Sequence, residues 1–111
     1  MPVSPEYRDH VLDLLSAMEG VMPRAMFGGC GLFRDGVMFA IITRTDRTYF
    51  RVDGVNRPDF EAAECAQFQP HENKPMRMPY FEVPVDLLED PEELCEWAEK
   101  AWEAAKRNKK K

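Results

Sequence analysis

A chain of 111 residues has material for one domain, because domains cluster near about 100 to 150 residues; 44% hydrophobic residues and 11% aromatics supply a core that a disordered segment lacks. Fifteen Lys and Arg against twenty Asp and Glu leave a net charge of −5, which excludes a generally basic nucleic-acid binder. That total hides an uneven distribution: residues 106–111 (KRNKKK) carry +5 and residues 1–105 carry −10.

In chain order, Ser4-Pro5-Glu6 offers an N-cap hydroxyl, a proline at the first helical position and an acid beside the positive end of the helix dipole. Tyr7, Val11, Leu14, Leu15 and Met18 then share one face at the 3.6-residue period, and Gly20 can supply a left-handed stop. From Gly29 the period becomes two. Gly31–Arg34 and Val37–Thr43 flank Asp35-Gly36, a dipeptide suited to a two-residue hairpin turn. Thr48–Val52 is again β-branched and aromatic, so three strands are expected in an antiparallel meander. The middle strand is apolar on both faces, with Val37, Phe39 and Ile41 on one and Met38, Ala40 and Ile42 on the other. Both faces should therefore be covered, by the helices or by a second subunit, and a homodimer is expected.

Asn56 can cap a short helix through Pro58, Phe60, Ala62 and Ala63. Phe68–His71 and Met76–Val83 read as a second hairpin, with Pro79 at a sheet edge or bulge because it has no N–H for a ladder. Asp90-Pro91-Glu92-Glu93 combines a cap, an N1 proline and a capping-box acid ahead of a helix whose face runs through Leu94, Trp97, Ala98, Ala101, Trp102 and Ala105. The expected fold is α+β in two layers, an antiparallel sheet with helices on it in the order α-β-β-β-α-β-β-α. One domain should span 1–105, followed by a basic tail at 106–111.

Chemistry-bearing patterns are sparse. Cys30, Cys65 and Cys95 are odd in number and form no C-x-x-C pair, so neither a disulfide framework nor a zinc site is encoded and reduced thiols are expected. No apolar h-region follows Met1 and no run is long enough to span a membrane, so a cytoplasmic location is expected. A nucleophilic Cys30 would need a histidine base, and only His10 and His71 exist, neither in a known signature. The glycines around it could form a phosphate nest but lack the strand and helix context of nucleotide sites. No metal-ligand spacing and no cofactor motif is present.

Charge patterning says more. Residues 24–57 carry a local +3, with arginines at 24, 34, 44, 47, 51 and 57, whereas residues 82–105 carry −8. This dipolar layout suits protein partners more than phosphates. The two alternatives are a ligand pocket or thiol enzyme around Cys30, and weak nucleic-acid binding through the tail and arginines.

The run Arg24-Ala25-Met26-Phe27-Gly28-Gly29-Cys30-Gly31-Leu32-Phe33-Arg34-Asp35-Gly36-Val37-Met38-Phe39-Ala40, followed by Tyr49-Phe50-Arg51-Val52-Asp53, resembles the signature of the TfoX/Sxy N-terminal domain family. Pro79-Tyr80-Phe81 and the closing Leu87, Glu89-Asp90-Pro91 and Trp97 extend the resemblance over nearly the whole chain, although Cys30 stands where an aromatic is common and Arg51 where lysine is common. The resemblance implies a secretion-chaperone-like fold, no catalytic residue, and a role in regulating DNA uptake alongside the cyclic-AMP receptor protein or RNA polymerase. Full-length members add a second helical domain suited to DNA, and the present sequence is expected to act without it. Arg24, Phe27, Gly28, Gly29, Gly36, Phe39 and Arg51 are the positions that match the motif, with Arg24 and Arg51 the expected contact residues.

Overall fold

The computed structural model describes residues 5–26, 29–43, 45–65, 67 and 79–108. The first helix, α1 (Pro5–Leu14), buries Val11, while Tyr7 and Leu14 pack at the edge of the core. It ends sooner than the periodicity suggests. Leu15 and Met18 are still buried, but they sit in tight turns after the helix, where the N–H of Met18 reaches the carbonyl of Leu15, and Gly20 takes a φ of 83°. Apolar spacing thus marks the buried face and not the helix end.

Five strands among the described residues form one antiparallel sheet in sequential order: β1 (Val21–Met26), β2 (Gly29–Arg34), β3 (Val37–Ile42), β4 (Thr48–Arg51) and β5 (Tyr80–Glu82). The β2–β3 hairpin turns at Asp35-Gly36 as expected, both with positive φ, 53° and 78°. Strand β1 is an addition to the sequence reading. It lies at the edge of the sheet, exposes Met22, Pro23, Arg24 and Ala25, and contains a proline, so it shows no alternating signature.

Alternation in β3 is also broken. Leu32 pairs with Ala40 and the next residue, Phe33, pairs with Met38, which leaves Phe39 as an extra residue in β3. The bulge lets Val37, Phe39, Ala40 and Ile42 all reach the core and leaves only Met38 and Ile41 partly exposed. The sequence reading placed Phe39 beside Ile41 and Met38 beside Ala40 and Ile42; the extra residue overturns both groupings.

Asn56 precedes α2 (Arg57–Ala62) as expected, but it does not cap that helix. Buried, its side chain turns back, accepting from the N–H of Asp53 at 2.8 Å and donating to the carbonyl of Arg51 at 2.9 Å. The expected Phe68–His71 strand and Met76–Met78 lie outside the described residues. Within them, Pro79 forms a bend just before β5 and its carbonyl accepts from the N–H of Val52 at 2.9 Å, while Gln67 bridges Phe81.

After a 3-10 turn (Val85–Glu89), α3 (Pro91–Arg107) starts on the expected cap, with the Asp90 carboxylate accepting from the N–H of Glu93 at 3.2 Å. Its buried face is Leu94, Ala98, Ala101, Ala104 and Ala105, small enough to bring the helix close over β3 and β4. Trp97 meets the Phe60 ring edge-on with centroids 4.7 Å apart. Trp102 donates from Nε1 to the carbonyl of Arg34 at 2.9 Å, and its ring lies 4.3 Å from the Arg34 guanidinium and 3.8 Å from Lys106 Nζ. On α1, the Tyr7 hydroxyl and Thr48 Oγ1 share a hydrogen bond of 2.7 Å. All three helices therefore pack on one side of the sheet, the two-layer α+β architecture expected.

The end of α3 is tied to the loop after β4. Arg107 donates to both carboxylate oxygens of Asp53, at 2.8 and 3.0 Å, with Asn108 adding a third bond at 3.2 Å. Lys106 and Arg107, the first residues of the basic run, thus form the last turn of α3. The Arg107 guanidinium, aided by the N–H of Val55 and by Asn108, holds the Asp53 carboxyl at about 2. A carboxyl depressed in the folded state stabilises fully above its unfolded value and loses that contribution as pH falls through the folded one. Asp53→Asn should therefore cost about 1 kcal/mol at neutral pH. In urea melts from pH 7 to 2, the deficit should persist above about pH 4 and vanish towards pH 2. A constant deficit across that range would show that charge at Asp53 is not its source.

Candidate functional site

The core occupies one side of the sheet only. Cys30, Leu32, Ala40, Ile42, Phe50 and Phe81 point into it towards the helices. On the opposite side, strand register aligns Met22 with Phe33, Phe33 with Met38, and Ile41 with both Gly31 and Tyr49. None of Met22, Met26, Phe33, Met38, Ile41 and Tyr49 belongs to the core cluster or packs against it. They form a second apolar layer that no described helix covers. Met22 is 66% exposed, against 0% for Phe39 or Phe50. Gly31 floors this layer: a Cβ there would meet Met38 Sδ at 2.8 Å, Phe33 Cε1 at 3.1 Å and Met26 Cε at 3.2 Å.

Arginines frame the layer. Arg24 on β1 lies 4.7 Å from the Phe33 ring centroid and makes no ion pair among the described residues. Together with Met22, Pro23, Phe33, Asp35 and Gly36 it lines a shallow notch of about 180 Å³. Arg51 on β4 sits 5.9 Å from the Tyr80 ring, and its buried Nε has no hydrogen-bond partner. Arg47 is neutralised by Glu82 at 3.5 Å. Burial pushes the Tyr49 and Tyr80 phenols up, and the neighbouring guanidinium groups of Arg47 and Arg51 oppose that shift.

The motif positions divide between roles. Gly36 is the second turn residue of the hairpin and Phe39 is a core residue at the bulge. Gly29 is excluded from carrying a side chain, because a Cβ there would collide with the carbonyl oxygen of Ile42. Arg24 and Arg51 alone among the described motif positions lie on the open face; Phe27 and Gly28 are outside the described residues. The sequence reading did not place Met22 and Phe33 on this face, nor align Tyr49 with Ile41. The first belongs to the unrecognised edge strand, and only the register of the bulged hairpin aligns the other two.

Chemistry at Cys30 finds no support here. The thiol is buried in the core cluster, burial pushes its pKa up, and its Sγ donates to the carbonyl of Gly31 at 3.6 Å. His10 is exposed on α1, and His71 is outside the described residues. Among the described residues no three His, Cys, Asp or Glu side chains gather to hold a metal, and no helix is long and apolar enough to cross a membrane.

Residues 13–105, from the end of α1 through most of α3, match the family profile of the TfoX N-terminal domain. That match covers most of the chain, and the chain belongs to this family. No curated protein matches it.

Gly29→Ala should lower stability by about 1–3 kcal/mol through overpacking against the β3 backbone. Arg24→Ala should change it by less than about 0.5 kcal/mol. Equal losses in urea unfolding would contradict the division between structural and open-face motif residues. In the native protein, Cys30 should react with a thiol reagent at least about tenfold more slowly than in urea; equal rates would restore it as a reactive group.

Proposed function

We propose that this member of the TfoX N-terminal domain family is a non-enzymatic, cytoplasmic protein-interaction domain that co-regulates transcription of competence genes, those for DNA uptake. Its partner is a transcription protein, the cyclic-AMP receptor protein bound at promoters or RNA polymerase. The observation that carries this reading is the apolar sheet face framed by Arg24 and Arg51, which the helical layer leaves open. An apolar layer with a charged rim is how a protein presents itself to another protein.

Direct binding to nucleic acid is disfavoured. The exposed side of α3 carries Glu92, Glu93, Glu96 and Glu103, which repel phosphates, and Lys106 and Arg107 are engaged within the fold. A second copy of the chain is the competing occupant of the face, favoured by its apolar centre and opposed by its unpaired arginines.

Tagged protein purified from a native lysate after nuclease treatment should retain the cyclic-AMP receptor protein or RNA polymerase, and the pair M22D and R24E should release it. Retention that disappears with nuclease, or a salt-sensitive DNA mobility shift lost when residues 106–111 are deleted, would replace a protein partner by nucleic acid. A stable dimer in sedimentation at micromolar concentration, split by M22D, would assign the face to self-association.

A further inference from the structure

The chemistry of the partner can be narrowed from the same face, and this step rests on the reading above. We propose that the open sheet face binds an acidic, amphipathic helical segment of another protein. Four features select that occupant over a strand or a second copy.

The first is shape. The partly exposed apolar centre spans β1, β2 and β3, three strands about 5 Å apart, which gives a shallow bed about 10 Å across, the diameter of one α-helix. The second is the edge. A partner strand would add to β1, but Pro23 interrupts that edge and offers no N–H, so main-chain pairing is blunted there. The third is composition. Met22, Met26 and Met38 surround Phe33, and unbranched thioethers repack around differently shaped apolar ridges, as suits the i, i+4, i+7 side chains of a docked helix.

The fourth is charge, which decides the sign of the partner. Most arginines of the fold have an acid of their own: Arg34 with Glu99, Arg47 with Glu82, Arg57 with Glu61, Arg107 with Asp53. Arg24 and Arg51 have none among the described residues, and Arg51 Nε is buried without an acceptor. Stacking two copies face to face would bring these four cations into one layer. Pairing the face with the acidic α3 of another copy would be head to tail and would not close. An acidic helix from a different protein satisfies both arginines and the apolar centre together.

The test uses the full chain, isotope-labelled for NMR, and two synthetic amphipathic peptides of about five helical turns with one leucine face, one bearing Glu and the other Lys on the polar face. The Glu peptide should shift the amide resonances of β1–β3 and bind at least about tenfold more tightly than the Lys peptide, with an affinity that falls as salt rises. R24E should reverse the preference and M22D should weaken both, while each variant keeps the native spectrum elsewhere. Equal or tighter binding of the Lys peptide would overturn the acidic chemistry while leaving the face as an interaction surface. No response of β1–β3 to either peptide would overturn both. Stronger shifts of the same resonances by an oligonucleotide, or self-association split by M22D, would overturn the proposal in favour of that occupant.

Discussion

The structure turns on an imbalance: a five-stranded sheet has two faces, and the helices fill one. The alanine face of α3, with Ala98 and Ala101 fully buried, brings that helix down over β3 and β4. The space between the layers is then filled by large side chains, Phe39, Phe50 and Phe60, and by the Trp97 ring set edge-on against Phe60. Close approach of a small-residue helix removes water from the inner face most completely where the sheet is most apolar. The same packing commits every described helix to one side. Among the described residues the outer face is lined by the strands' own side chains alone.

The bulge at Phe39 is the device that makes the imbalance tolerable. A regular β3 would send three apolar residues to each face. With one extra residue, Phe39 and Ala40 both turn inwards and the outer share falls to Met38 and Ile41. The inner core gains an aromatic next to Phe50, at 6.3 Å between centroids, and the outer face loses one. What remains outside is a band of partly exposed side chains, Met38 and Ile41 of β3 beside Phe33 and Met22.

The hairpin turn, the cap and apolar face of α3, the position of α2 and the two-layer class were legible in the sequence, because each follows from local chemistry: positive φ at Asp35-Gly36, the carboxylate of Asp90, proline at N1. The edge strand β1 was not. A strand with one neighbour and a solvent-facing proline carries neither alternation nor a β-rich composition, and only pairing with β2 defines it. The open face was half legible. That the middle strand needed cover on both sides could be read; which residues faced outwards could not, since a bulge changes the phase of alternation without leaving a mark in composition.

The family motif, read against this fold, separates by the kind of constraint each residue meets. Gly29 is held by a neighbouring carbonyl, Gly36 by its backbone conformation and Phe39 by a closed core, and each would be required of any protein built this way. Arg24 and Arg51 meet no such constraint. The Arg24 guanidinium lies over the Phe33 ring at a solvent-exposed edge, and Arg51 is set beside Tyr80 with its buried Nε lacking an acceptor among the described residues. A buried donor without an acceptor, as at Arg51 Nε, costs stability, whereas Arg24 is exposed to water. Among the described motif positions the glycines and the phenylalanine are thus held by the architecture, and the two arginines are not.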